Sequence, residues 1–283
     1  VNQIVLPSRA KINLSLLVLG KRSDGYHNIK SLMQTVEFGD EVTIRLRDDD
    51  SIYIESNLPE LPVDERNIVY RAAVLMKQTF QISQGFSIYI NKRIPVAAGL
   101  AGGSGNAAAT LRGIDQLCGL NLSEDKLAAL GLTLGADVPF CLYGKPALAE
   151  GIGERLTPAV GLTNCYIVLV NPGVGVSTGM IYQALDDKNV PFDDNTEQLL
   201  SALKNGDIKK AVYSMNNMME TVAINYCPAI SNLLTRLLEA GALHAMMSGS
   251  GATCFGVFTE QPDAVKLQQL FGDELVAITR PVI

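Results

Sequence analysis

Residues 95–109 constrain this chain more than any other stretch. Pro95-Val-Ala-Ala-Gly99-Leu-Ala-Gly102-Gly103-Ser104-Gly105-Asn-Ala-Ala-Ala109 is a glycine-rich loop that runs straight into an alanine-rich segment. Alanine has the highest helix propensity, so the spacing predicts a helix from Ser104 to about Leu117. Four glycines between Gly99 and Gly105 let backbone approach a ligand closely and take positive φ without steric cost. A helix starting there aims its free N–H groups and the positive end of its dipole at the loop, an arrangement suited to phosphate. No Lys-Ser or Lys-Thr follows the last glycine, which excludes a Walker A loop, and the G-x-G-x-x-G dinucleotide spacing is missing. On these residues alone, a flexible loop or a tightly packed helix start is the alternative.

The 283 residues suit one large or two medium domains, and 47% hydrophobic with 18% charged residues is ordinary globular composition. A formal net charge of −6 argues against a nucleic-acid or anionic-membrane binder, so local donors must hold any phosphorylated ligand. The five cysteines (118, 141, 165, 227, 254) are scattered without a C-x-x-C pair, which reads as reduced, mostly buried thiols. His27 and His244 are too few for a histidine metal centre. No apolar run nears membrane-spanning length and the first residues lack a signal-peptide pattern, so a cytoplasmic protein is expected. Val1 is not a methionine, and the natural start is expected to have been altered or trimmed.

Apolar alternation predicts strands over Lys11–Leu19 and Glu41–Arg47, with shorter ones at Ser51–Ser56 and Phe86–Asn91. Helical spacing runs from Asn67 to about Phe80, and Ser123 is positioned to cap a helix that ends near Gly135. After Gly151-Ile-Gly-Glu-Arg155 comes a buried strand, Cys165–Val170, then a broken helical region from about Gly179 to Ala240. The end reads strand (Leu243–Met247), turn (Ser248–Gly251), strand (Thr253–Phe258), helix (Pro262–Leu270, opening at Thr259 with proline in its first turn) and strand (Leu275–Thr279). Two α+β domains, 1–154 and 155–283, meeting in a cleft are the simplest architecture.

Several residues carry two readings each. Lys11, at the start of an apolar strand, is either a solvated strand end or a cation beside transferring phosphate. Asp24-Gly25-Tyr26-His27 is either a hairpin turn with packing rings or a clamp in which Tyr26 stacks on a planar base and His27 bonds its edge. Asp137, in Gly135-Ala-Asp137-Val-Pro139, is either a helix-end aspartate or a general base for a hydroxyl nucleophile. Ser248-Gly-Ser-Gly251-Ala252 is a tight hairpin or a second set of backbone donors near a ligand. Asn67 and Lys92 are uninformative singly, Met246-Met247 reads as core, and Asp48-Asp-Asp50 as a solvated turn.

Taken in order, these segments resemble the GHMP kinase superfamily. The Asp-Gly-Tyr-His and Gly-Ala-Asp-Val-Pro segments are similar to its 4-diphosphocytidyl-2-C-methyl-D-erythritol kinases. The resemblance implies an α+β, two-domain GHMP kinase fold: an S5-like N-terminal ATP-binding domain, a ferredoxin-like C-terminal domain, and the active site in the cleft between them. It implies transfer of the ATP γ-phosphate to the 2-hydroxyl of 4-diphosphocytidyl-2-C-methyl-D-erythritol, on the methylerythritol phosphate route to isoprenoid precursors. By motif match, Pro95, Val96, Ala97, Ala98, Gly99, Leu100, Ala101, Gly102, Gly103, Ser104 and Gly105 would wrap the ATP phosphates, with Asn67 and Lys92 near the adenosine. Lys11 and Asp137 would be the catalytic pair. Asn13, Tyr26, His27 and Thr178 would hold substrate, the two rings at the cytosine. Mg²⁺ is implied by ATP chemistry, with Ser104 the nearest candidate ligand and no dedicated protein metal site. The implied partner is a small-molecule substrate, with no nucleic acid, no membrane, and a monomer or weak homodimer as the working form.

This chain departs from the family pattern at Gly105, where many members carry a second serine, and at Ala97, Ala98 and Ala101, where glycine is common. Alanine fits there only while φ stays negative, which predicts a somewhat stiffer loop. A homoserine- or mevalonate-directed member would share the loop but has no need for a Tyr-His clamp, and a silent binding module would lose Lys11 or Asp137; both are present.

Overall fold

The computed structural model describes residues 2–188 and 192–283. In chain order the elements are β1 (Gln3–Asn13), β2 (Ser15–Lys21), β3 (His27–Arg47), β4 (Ile52–Ser56), α1 (Ile68–Phe80), β5 (Gly85–Asn91), α2 (Gly102–Cys118), α3 (Glu124–Leu134) and α4 (Val138–Tyr143). There follow β6 (Ala147–Gly151), β7 (Arg155–Pro158), β8 (Tyr166–Asn171), α5 (Thr178–Lys188), α6 (Thr196–Lys204), α7 (Ile208–Tyr213), β9 (Asn216–Asn217), α8 (Glu220–Tyr226) and α9 (Ala229–Glu239). The chain ends with β10 (His244–Met247), β11 (Cys254–Phe258), α10 (Ala264–Phe271) and β12 (Leu275–Thr279). The chain divides into two compact units: residues 1–10, 39–94 and 101–144, and residues 11–38, 95–100 and 145–283.

In the first unit β5 pairs antiparallel with the second half of β3 (Glu41↔Asn91 to Arg47↔Gly85) and parallel with β4, while β1 pairs with β3. Alternation in β3 and β5 sends Val42, Ile44, Phe86, Ile88 and Ile90 into a core shared with Val69, Ala72 and Met76 of α1 and Ala107, Leu111 and Ile114 of α2. The alanines of α2 matter here because small side chains let α1 and α2 pack closely. Gly39 has a backbone reason: a Cβ there would lie 2.5 Å from the Ser8 carbonyl oxygen. Asn67 caps α1, its Oδ1 accepting from Val69 N at 2.9 Å, and Ser123 caps α3 through Lys126 N.

In the second unit the β2–β3 hairpin closes on the pair Lys21↔His27; β6 pairs with the first half of β3 and with β7, and β9 runs parallel to β2. A separate antiparallel sheet has the order β10-β11-β8-β12. Its central strands are apolar and buried over residues 167–170 and Cys254–Phe258, and α9 packs on β10 and β11 through Ile230, Leu233 and Leu237.

Four expectations need correction. The strand expected over Lys11–Leu19 is two strands broken at Leu14, whose N–H turns to the Leu32 carbonyl (2.7 Å). The helix after the glycine loop begins at Gly102, two residues early, because Gly105 N already bonds the Ala101 carbonyl at 2.8 Å. The last helix is capped by Asp263, which accepts from Val265 and Lys266 N–H, leaving Thr259 and Pro262 outside it. Ala97 and Ala101 do not keep negative φ; they stand at +53° and +54°. A side chain in that region costs about 1 kcal/mol. Around Ala101 the backbone is tied on both sides: Leu100 O accepts from Lys11 N (3.1 Å), Gly99 O from Ser248 Oγ (3.0 Å), and Ala101 O closes the first helical turn.

Candidate active site

In the first unit the first turn of α2 is open to solvent at Gly103 and partly at Ser104. Ala101 makes no side-chain cap bond, so the first-turn N–H groups have no side-chain acceptor among the described residues. Gly103 is exposed, and a Cβ added to it would meet nothing nearer than Ile68 Cγ2 at 3.7 Å. Gly102 faces inward instead, where a Cβ would lie 2.9 Å from both Ile94 Cγ2 and Lys92 Nζ. Beneath it Asp40 pairs with the Lys92 ammonium and accepts from Arg93 N and Ile94 N, at 2.7 Å each, and from Asn106 Nδ2 at 2.9 Å. Burial lowers the Lys92 pKa even though Asp40 opposes the shift. A Cβ at Gly105 would stand 2.7 Å from Ser8 Oγ and 3.3 Å from the Arg9 carbonyl oxygen, so a side chain there would require Ser8 to turn away.

Asp137 also belongs to this unit and occupies the N-cap position of α4, yet its carboxylate caps nothing. Its backbone carbonyl accepts from Cys141 N at 3.0 Å, but among the described residues its carboxylate has neither a hydrogen bond nor an ion pair, and the residue is half-buried. An aspartate kept for helix capping would accept from the N2 or N3 amide. Ser104 lies close by: a Cβ on Gly135, two residues before Asp137, would be 3.9 Å from its hydroxyl oxygen. An uncapped helix start, a free hydroxyl and an unspent carboxylate thus share one region. Asn67, besides capping α1, donates to the Pro62 carbonyl at 2.7 Å.

In the second unit Lys11 is 5% exposed, against the solvated-end reading, and its Nζ donates to Asn13 Oδ1 at 2.7 Å. Asn13 donates onward to Ser31 Oγ (2.8 Å), which donates to the Ser15 carbonyl (2.6 Å). Among the described residues Lys11 makes no ion pair, and its side-chain nitrogen rests on one neutral acceptor, the Asn13 amide oxygen. Residues 95–100 lie against the second glycine turn, where a Cβ on Gly99 would collide with the Ser248 carbonyl. Asn217 braces that turn, donating to the Met247 and Gly249 carbonyls at 2.8 Å each, and Glu220 accepts from Met247 N at 2.7 Å. Burial raises the Glu220 pKa.

The Tyr26-His27 turn is a hairpin tip closed by Arg22 N to Tyr26 O (2.7 Å). Tyr26 is 57% exposed and His27 only 7%. The His27 ring stacks on Tyr182, and its Nε2 lies 2.8 Å from Asp186 Oδ1. Thr178, at the start of α5, pairs with Ser250 (2.7 Å between hydroxyls). The sequence reading singled out neither Tyr182 nor Asp186; the signal was there, since Thr178, Tyr182 and Asp186 recur every four residues.

All five cysteines are free thiols. Among the described residues no group of three or more His, Cys, Asp or Glu could hold a metal, and no helix is long and apolar enough to cross a membrane.

Family models for the GHMP kinases N terminal domain and the GHMP kinases C terminal match residues 67–145 and 199–273. The chain is 49% identical over 263 residues to a 4-diphosphocytidyl-2-C-methyl-D-erythritol kinase of Clostridioides difficile (93% of this chain, 89% of the relative). It is 43% identical to the enzyme of that name from Caldicellulosiruptor saccharolyticus, over 98% and 96% of the two chains. A crystal structure of a 4-(cytidine 5'-diphospho)-2C-methyl-D-erythritol kinase superposes with TM-score 0.80 at 32% identity, covering 98% of this chain and 99% of the other. A homoserine kinase from Cytophaga hutchinsonii also reaches 0.80, at 23% identity over 100% and 95%, so the fold alone does not separate the activities. The full-length identities do: the chain belongs to the 4-diphosphocytidyl-2-C-methyl-D-erythritol kinase family of the GHMP kinases.

Proposed function

We infer that this chain transfers the γ-phosphoryl group of ATP to the 2-hydroxyl of 4-diphosphocytidyl-2-C-methyl-D-erythritol, a step toward isoprenoid precursors. The observation that carries the chemistry is Asp137: a carboxylate at an N-cap position that caps nothing, near an uncapped helix N-terminus. In this reading the α2 amides and the 95–105 loop bind the ATP phosphates, with Asn67 and Lys92 toward the adenosine. Asp137 accepts the proton of the attacking hydroxyl as the bond to phosphorus forms, and Lys11 offsets charge on the transferring group. Asn13, Tyr26, His27 and Thr178 hold the acceptor, the two rings at its cytosine. A Mg²⁺ arriving with ATP fits a single hard protein oxygen, the Ser104 hydroxyl, and would neutralise phosphate charge.

We likewise assign residues 1–154 to the ATP-binding domain and 155–283 to the C-terminal domain, and take the protein as a cytoplasmic monomer or weak homodimer that binds neither nucleic acid nor membrane. The test is ADP release across a panel of acceptors: 4-diphosphocytidyl-2-C-methyl-D-erythritol, mevalonate, homoserine and galactose. Turnover with the first alone is expected, and turnover only with one of the others would overturn the reading.

A further inference from the structure

Thr178, Tyr182 and Asp186 share one side of α5, and the last two converge on His27. Asp186 Oδ1 meets His27 Nε2 at 2.8 Å, while Oδ2 meets Lys21 Nζ at 3.3 Å. Lys21 and His27 are the register pair that closes the β2–β3 hairpin. One carboxylate therefore grips both strands immediately behind the Tyr26 turn. An ionised carboxylate only accepts hydrogen bonds. Asp186 is held below the usual carboxylate range, chiefly by the His27 bond. A carboxylate 2.8 Å from Nε2 can only accept, so the contact calls for the hydrogen on Nε2. The Nε2–H tautomer keeps a lone pair on Nδ1, which has no partner among the described residues. The Tyr182 stack, with centroids 4.4 Å apart, fixes the plane of the ring.

We propose that Asp186 is a positioning residue for acceptor recognition: it fixes His27 as the Nε2–H tautomer, so that Nδ1 accepts from the exocyclic amino group of a cytosine-type base. A uracil-type base carries a carbonyl oxygen at that position and would set one lone pair against another, so the same device selects against it. The inference rests on the acceptor-clamp reading above.

The test combines kinetics with imidazole ¹⁵N NMR. The chain has only two histidines, so His244→Gln leaves one ring to assign. The His27 signals should show protonated Nε2 and bare Nδ1, and CDP, not UDP, should shift the Nδ1 resonance. Asp186→Ala should raise KM for the cytidyl substrate about tenfold and narrow the preference for CDP over UDP as competitor, with kcat and ATP KM within about twofold. Asp186→Asn, whose amide oxygen still accepts, should restore KM to within about threefold of wild type. A protonated Nδ1 in the wild-type ring would overturn the proposal. So would an unchanged cytidyl KM in both Asp186 variants while His27→Ala raises it. If His27→Ala also leaves that KM unchanged, the clamp reading itself fails.

Discussion

The imidazole of His27 lies 4.4 Å, centroid to centroid, from the ring of Tyr182 and 12° from parallel. The two rings of the Tyr26-His27 dipeptide therefore do different jobs: one is stacked inside the protein, the other is 57% exposed at the hairpin tip.

An exposed tyrosine face is suited to stacking on a base, worth about 1–3 kcal/mol. Tyr26→Ala should raise KM for the cytidyl substrate roughly ten- to a hundredfold and leave ATP KM unchanged, while Tyr26→Phe stays near wild type. Steady-state kinetics with each substrate varied checks this. A variant that lost ATP affinity and kept acceptor affinity would move the ring to the nucleotide.

The two glycines at the start of α2 should behave differently. Gly103 has open space around an added Cβ, so Gly103→Val should keep a melting temperature within a few degrees of wild type and still lose ATP affinity at least tenfold, through blocked phosphate approach. Gly102→Val should destabilise the protein itself, since its Cβ would meet Ile94 and Lys92 at 2.9 Å. Calorimetric ATP titration alongside thermal melts separates the two effects; unchanged ATP affinity in folded Gly103→Val would make the loop structural only.

Much of this was legible because local chemistry and final structure agree. Asn67 and Ser123 cap the helices that their positions announce, and the alternation of Glu41–Arg47 survives as half of β3. The first half of β3 was not legible: His27–Phe38 has no clean alternation because both faces are largely covered. The positive φ of Ala97 and Ala101 was not legible either: the bonds that tie the backbone next to Ala101 come from Lys11 and Ser248, distant in sequence. Among the candidate site residues, Lys11, Asp137 and the Tyr-His turn stand out as motifs. Tyr182 and Asp186 lie in a helix of mixed polarity, and their role is visible only once His27 is placed against them.

Glu220 gives a pH signature. Its folded pKa is raised by burial above the ordinary 4.5, so its contribution to stability is fully present below that pH and is lost as pH rises through the folded value. Glu220→Gln removes the ionisation and its amide oxygen can still accept from Met247 N. The melting temperature of the variant relative to wild type should therefore climb as pH rises from about 4.5 and then level off. A difference flat with pH would mean that Glu220 ionises in the fold as freely as in water.

Asp137→Asn keeps the shape of the side chain and removes its capacity to take a proton. Both substrates should bind almost normally while kcat falls roughly 10²–10⁴-fold, the scale for losing a general base. Lys11→Ala should lower kcat as well, and the double variant should be little worse than the poorer single one if, as proposed, the pair acts as a unit. Single-turnover kinetics checks this; an Asp137→Asn enzyme within a few-fold of wild type would leave the aspartate a structural residue.

The most direct measurement is ³¹P NMR of the product formed from ATP and 4-diphosphocytidyl-2-C-methyl-D-erythritol. The acceptor carbon bears the methyl branch and no hydrogen, so phosphate on the 2-hydroxyl has no P–O–C–H proton to couple with. A new phosphomonoester singlet beside an intact diphosphate is the expected spectrum. A proton-coupled phosphomonoester, which would put the phosphate on a different hydroxyl, or no new resonance at all, would contradict the assignment.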